Sequence, residues 1–348
     1  MAVNESVPPS ENAAPNLWGW RTWVSLAVAY GAIGVMAYLS DVDFESVWRK
    51  FVEADKRWVL LGLLAHYLTY YFRGARWKYV LGHSPRRASR AKYGLMVFFY
   101  SFVDNMVPAK LGDLYAAHLA RINLGVRRSA ALGSLLFLRM IDGWIVLGLA
   151  AISAWIVFAS EMPELVFYAL VFGAAFAVVA TVIMVLFGVM HHRMPAWVPE
   201  RVTRMIRDIR EKMVPSRKHA FRIVLFTVVI WVLEALWIYL LVYGFGLELT
   251  LVQVVFLTTI PLLASAVPLT PSGTGFVEMA LFTCLTALPG VGVSKALAVS
   301  ITVLNRAIDY WLHQFLGALT WGVRYRLGLY SWREREDEPS DSPTEGSG

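Results

Sequence analysis

Two apolar stretches, 93–121 and 251–288, are long enough to enter a membrane yet are broken by Pro and Gly, and they constrain this chain more than anything else in it. Phe98 to Leu114 reads FFYSFVDNMVPAKLGDL, with Asn105, Pro108 and Gly112 inside it; Ile260 to Glu278 reads IPLLASAVPLTPSGTGFVE, with Pro261, Pro268, Pro271, Gly273 and Gly275. Pro removes a backbone donor and disfavours helix in the residue before it, and Gly relaxes the turn. Each stretch therefore reads as a half-helix, a break, and a short returning half-helix. Non-helical backbone in lipid costs several kcal/mol per unsatisfied group, so such breaks must be buried in protein or line a wet cavity.

The two stretches belong to a larger duplication. Trp77, Tyr79, Val107 and Pro108 recur 160 residues later as Trp237, Tyr239, Val267 and Pro268, and Arg139, Asp142 and Trp144 recur 167 residues later as Arg306, Asp309 and Trp311. Internal repeats in a membrane protein are the build of secondary transporters, whose sites lie where the halves meet.

The surrounding sequence supports a membrane setting. Hydrophobic residues make up 57% of the 348 and charged residues 16%, with a mean hydropathy of +0.54, more apolar material than one soluble core buries. A span needs about 20 apolar residues. Full spans are predicted near 18–39, 57–80, 129–158, 165–190, 221–246 and 294–322. The predicted fold is an all-α polytopic membrane protein of about six spans and two re-entrant hairpins in an inverted-topology repeat. Its single transmembrane domain covers 18–325, with repeat one about 18–158 and repeat two about 165–322. Residues 1–17 and 326–348 read as disordered tails, and residues 1–17, lacking Arg and Lys, do not read as a cleavable signal peptide.

Topology follows from the basic residues. Segment 73–92 holds Arg73, Arg76, Lys78, Arg86, Arg87, Arg90 and Lys92 without an acid, and 121–128 adds three Arg. The positive-inside bias makes these cytoplasmic, together with the basic loop 191–220 inside repeat two, which places both termini in the cytoplasm of a multi-pass cell-membrane protein. The net charge of +7 is thus spread over loops rather than forming a nucleic-acid patch. Within 200–213, Val202, Met205, Ile206, Ile209 and Met213 share a face opposite Arg201, Arg204, Arg207 and Arg210, the pattern of a helix lying on anionic lipid.

Ionisable residues in the apolar regions are the candidate site. A charge at the bilayer centre costs about 2.5–3.5 kcal/mol on insertion scales, so its retention points to function. Arg139 with Asp142, and Arg306 with Asp309, are spaced i, i+3 and can pair on one helix face. Asp113 and Glu278 follow the hairpin glycines, where a carboxylate offsets the helix dipole or bridges to Arg139 or Arg306. Asn105 marks the first break, Lys110 its tip, and Arg73 and Arg76 the end of the second span, all candidates for a lipid headgroup, while Glu234 is a candidate for proton coupling. His66, His118 and His313 are scattered and read as packing residues. No catalytic group, cofactor motif, nucleotide loop or metal spacing is legible, and the single Cys284 reads as a small apolar helix residue.

Asn105–Asp113 (N-x-x-P-x-x-x-G-D), Arg139–Asp142 (R-x-x-D), Pro271–Glu278 (P-S-G-x-G-x-x-E) and Arg306–Trp311 (R-x-x-x-Y-W) resemble the lysylphosphatidylglycerol synthase transmembrane-region family, over roughly 20–325. The chain departs from that pattern at Tyr115 and Ala116, where Arg is frequent, at Leu138, where Glu is, and at Ser272, where Gly is usual. The resemblance implies a flippase-like domain that translocates a phospholipid or polyprenyl-linked lipid. With about 25 residues after Val323, the family's aminoacyl-transferase domain is not expected. The alternative function is a non-transporting accessory subunit that docks a glycosyltransferase or other lipid-modifying enzyme through its basic loops. Expected partners are membrane lipids, with such an enzyme as a possible second.

Overall fold

A computed structural model describes residues 43–106, 112–159, 161–190, 200–213, 217–265 and 273–330. The expected first span at 18–39, together with Pro108, Lys110, Pro268 and Pro271, lies outside the described residues.

The described chain is helical throughout, as its apolar composition requires of a membrane protein that must satisfy its backbone internally. In order the helices are α1 (Phe44–Glu53), α2 (Lys56–Leu81), α3 (Arg90–Met106), α4 (Gly112–Leu124), α5 (Arg128–Phe158), α6 (Glu164–Met190), α7 (Glu200–Met213), α8 (Arg217–Gly244), α9 (Leu251–Ala264), α10 (Phe276–Ala287), α11 (Lys295–Arg306) and α12 (His313–Val323). Between α11 and α12 the chain does not break but widens into a π-helical turn, Ala307–Leu312. The starts are built from the expected chemistry: Asp55 caps α2 by accepting from the Arg57 N–H at 2.9 Å, and Thr250 and Gln253 close a capping box on α9.

Of the six expected spans, three described helices are long and apolar enough to cross a bilayer: α5, the 164–182 part of α6, and α8. The predicted span 57–80 is a continuous 26-residue helix, α2, but it carries Arg73, Arg76 and Lys78. The predicted span 294–322 is helical along its length, with the π turn in its middle. Along α6, Phe167, Val171, Phe176, Val179, Val182 and Leu186 are exposed, the surface of a helix in contact with lipid. At the C-terminal end, residues 326–330 belong to the fold rather than to a tail. Leu329 is buried, and the Tyr330 N–H donates to Asn123 Oδ1 at 3.1 Å.

Helices α2 and α8, which carry Trp77 and Trp237 of the duplication, pack along each other at the centre. Around them α3 packs on α2 and α4, α9 on α5 and α10, α12 on α3, and α1 on α11. Two apolar clusters result, one from α2 to the first half of α5, the other from the second half of α5 through α11. Helix α7 does not present its apolar face to lipid as its pattern suggested. Ile206 and Ile209 are buried, the helix packs on α5, and Asp208 takes Arg127 at 2.8 Å and Ser129 at 2.5 Å.

The α2–α3 crossing is backbone on backbone. A Cβ at Gly74 would run into the Gly94 main chain, whereas one at Gly94 would sit 3.0 Å from the Tyr71 Cα. Small residues let membrane helices approach closely, and their dispersion contacts hold the pair where the hydrophobic effect does not. Gly74→Ala is expected to destabilise by about 1–3 kcal/mol or more through overpacking, and Gly94→Ala by less. Thermal scans of the detergent-solubilised variants check the ranking; equal stability of both with the parent would show that the crossing is looser than described.

Candidate functional site

Between the two apolar clusters lies a polar cavity of about 240 Å³. Helix α2 contributes His66, Tyr70 and Arg73; α3 Tyr100, Ser101, Asp104 and Asn105; α5 Arg139; α8 Glu234; α9 Pro261 and Ser265; and the α11–π segment Asn305, Arg306 and Asp309. Trp77 and Trp237 steady the helices that carry the R-x-x-D motifs: Trp77 Nε1 donates to Ser134 at 2.9 Å and Trp237 Nε1 to Asn305 at 3.2 Å.

On one side Arg139 reaches from α5 to the start of α4. Its Nε and Nη2 donate to the two Asp113 carboxylate oxygens at 3.2 and 3.0 Å, and Asp104 Oδ2 stands 3.5 Å from Nη2. Asp104 also takes the Gly112 N–H at 3.0 Å, a helix-start donor that has no intrahelical acceptor. The Arg139 side chain is 43% exposed and lines the cavity.

The other half repeats the design with a tighter seal. Arg306 Nε lies 2.7 Å from Glu278 Oε1, the side chains being 4% and 3% exposed. Arg306 also donates to Thr274 and covers the Tyr310 ring, 4.6 Å from its centroid. The second Glu278 oxygen accepts the Gly275 N–H at 2.6 Å, where φ of 92° demands glycine.

Two further pairs close the inner wall. Arg76 grips Asp142 in a bidentate fork, both bonds 2.6 Å, and donates to Thr227 at 3.1 Å; Arg73 holds Glu234 at 2.7 Å. Planar guanidinium against carboxylate is the strongest of protein ion-pair geometries. The expected i, i+3 pairs are therefore replaced: Arg139 and Arg306 pair with the acids that follow the glycines, Asp142 with Arg76, and Asp309 lies 3.7 Å from His66 Nε2.

Of the residues singled out from sequence, Asn105, Arg139, Arg306, Asp309, Arg73 and Glu234 line the cavity. Asp113, Asp142 and Glu278 stand behind it as partners of its arginines. Arg76, 2% exposed, is engaged by Asp142, and Glu234 is held by Arg73 at 2.7 Å. Lys110 lies outside the described residues. Sequence reasoning passed over Asp104, although an acid beside Asn105 in an apolar stretch carries the same signal as Asp113. It also read His66 and His313 as packing residues; the fold brings both together around Tyr67 and Tyr70, with His66 at the cavity wall and His313 fully buried. Among the described residues no group of three His, Cys, Asp or Glu is placed to hold a metal ion.

A family model described as "Lysylphosphatidylglycerol synthase TM region" matches residues 22–317. A UPF0104 membrane protein of Methanocaldococcus jannaschii is 30% identical over 220 residues, 63% of this chain and 92% of that protein. A second UPF0104 membrane protein, from Pyrococcus horikoshii, is 24% identical over 324 residues, 84% of this chain and 95% of that one.

Proposed function

Since the chain belongs to the lysylphosphatidylglycerol synthase TM region family, we propose that it is a lipid flippase or transporter, moving the headgroup of a phospholipid or polyprenyl-linked lipid through the cavity between its halves. The carrying observation is a polar cavity of about 240 Å³, lined by Arg73, Arg139 and Arg306, inside a protein whose outer helices face lipid. That volume falls just below the about 300–1,000 Å³ of pockets that engulf whole small ligands. It suits a headgroup, while the acyl chains stay in the bilayer.

The cavity's arginines are already matched with carboxylates, so a phosphate enters by exchange. Arg139 is the entry point, being the more exposed, and a phosphate oxygen there replaces a carboxylate oxygen of Asp113 or Asp104 with an equivalent charge-assisted bond. Exchange keeps the site from trapping its cargo, which a bare arginine in low dielectric would do.

The architecture of this reading is an inverted repeat, with α3–α4 and α9–α10 as hairpins entering from opposite faces and both termini cytoplasmic. The duplication, the parallel pairs Arg139–Asp113 and Arg306–Glu278, and the basic segments 73–92 and 121–128 support it. A C-terminal fluorescent-protein fusion is expected to glow and an alkaline-phosphatase fusion to be inactive; the reverse result would sink this topology. The activity itself is tested with purified protein in liposomes carrying NBD-labelled phosphatidylglycerol in both leaflets. Dithionite is expected to bleach nearly all the label instead of the outer half. Bleaching that stops at half, for this probe and for a polyprenyl-phosphate probe, would favour the accessory-subunit alternative.

A further inference from the structure

We infer that Asp309 and His66, with His313 packed beside them, form a proton-binding site at the cavity wall, and that its occupancy couples lipid movement to a pH gradient. The inference rests on the transport reading above for its coupling, but not for the proton site itself.

Among the described acids that line the cavity, Glu234 has Arg73 at 2.7 Å and Asp104 has Arg139 at 3.5 Å. Asp309 faces instead a histidine, His66 Nε2 at 3.7 Å, a group able to gain or lose charge near neutral pH. Its side chain is 41% exposed and lines the cavity, so it is open to a proton that enters there. Beside them is His313, fully buried one turn after Asp309. Neither ring nitrogen of His66 or His313 completes a hydrogen bond, although the Phe98 backbone lies beside His313. Buried polar atoms left in that state cost about 1–3 kcal/mol each and call for an explanation.

Aromatic rings enclose His313: Tyr70 stacks on it at 5.1 Å and 17°, Tyr67 at 6.4 Å and 12°, and Phe98 meets it at 4.5 Å. Full burial opposes a charge on that imidazole. A proton arriving at the site therefore rests on His66, opposite the Asp309 carboxylate, giving a neutral pair.

The π turn creates this arrangement. In the first half the matching Asp142 lies on regular helix and is neutralised by Arg76. In the second half the i→i+5 turn over Ala307–Leu312 carries Asp309 toward α2. The charged and titratable groups facing the site are Tyr67, Tyr70 and Arg73 on α2, Glu234 on α8, and Arg306 and Tyr310 on its own segment.

The test uses the full-length protein in liposomes with NBD-labelled phosphatidylglycerol and a difference of two pH units across the membrane. Wild type should concentrate the label in one leaflet, up to a limit of about tenfold per pH unit for one proton per lipid, and reversing the gradient should reverse the leaflet. Asp309→Asn and His66→Gln should abolish the excess, and Asp309→Glu should restore part of it. Wild type that equilibrates the lipid yet ignores the gradient would overturn the coupling while leaving transport intact. If no label crosses at all, transport fails and the coupling falls with it. The proton site is then judged by NMR of ¹⁵N-histidine protein in micelles, with the signals assigned through His66→Gln and His313→Gln. The His66 titration should shift in Asp309→Asn; a titration unchanged by that substitution would overturn the site.

Discussion

Arg306→Ala is expected to cripple the fold as well as the activity. The residue is 4% exposed, its removal strands the equally buried Glu278 carboxylate, and breaking a buried pair from one side costs about 3–5 kcal/mol. That is much of a domain's margin of about 5–15 kcal/mol, so a large drop in melting temperature and in monodisperse yield should follow. Arg306→Met combined with Glu278→Gln should recover most of the stability, because Gln keeps an acceptor for the Gly275 N–H and no charge is left unpaired. It should not recover lipid movement. A single Arg306→Ala variant as stable as the parent would show that the pair is not sealed as described.

Arg139→Ala should behave in the opposite way, folding nearly as well as the parent but moving lipid at least tenfold more slowly. Its side chain is 43% exposed and the acids it leaves behind can be solvated through the cavity, while a lost hydrogen bond to a charged group is worth about 1.5–3 kcal/mol. The informative exchange is with Asp113, since Asp113 is the residue Arg139 grips. Arg139→Asp with Asp113→Arg preserves a pair but moves the cation to α4. If that double variant transports at the parental rate, Arg139 serves structure alone; a stable protein that stays inactive identifies it as the headgroup contact. Measured flux in the single variant equal to the parent's would remove Arg139 from the mechanism.

The i, i+3 spacing of Arg139 and Asp142 made an intrahelical pair legible, and the fold chose otherwise for an energetic reason. Neighbours on one helix gain about 0.2–0.5 kcal/mol, whereas a bidentate fork between helices, such as Arg76 with Asp142, gains several times more and fixes the packing. Residue types and their duplication were readable; partners were not, because partners depend on which helices meet. The all-helical membrane class and the family were legible in hydropathy and in the four motifs. His66 and His313 carried no local signal, since they become neighbours only once α2 packs beside the π turn. That turn has no sequence marker either, for the same R-x-x-D letters run through regular helix at Arg139. For residues 200–213 the apolar face was correctly read, but hydropathy cannot distinguish a cover of lipid from a cover of protein.

The contact of Gly74 with Gly94 also governs what kind of mechanics the domain can have. Packed helices slide past one another by small adjustments of the side chains between them. At this crossing no side chain lies between the main chains to act as a bearing. Helix α3 meets α2 at this point main chain to main chain, as a lever meets its fulcrum. With Gly94 near one end of α3 and Asn105 near the other, the long arm ends at the cavity. A small rotation at the pivot becomes a larger sweep of Asp104 and Asn105, beside the Arg139 guanidinium.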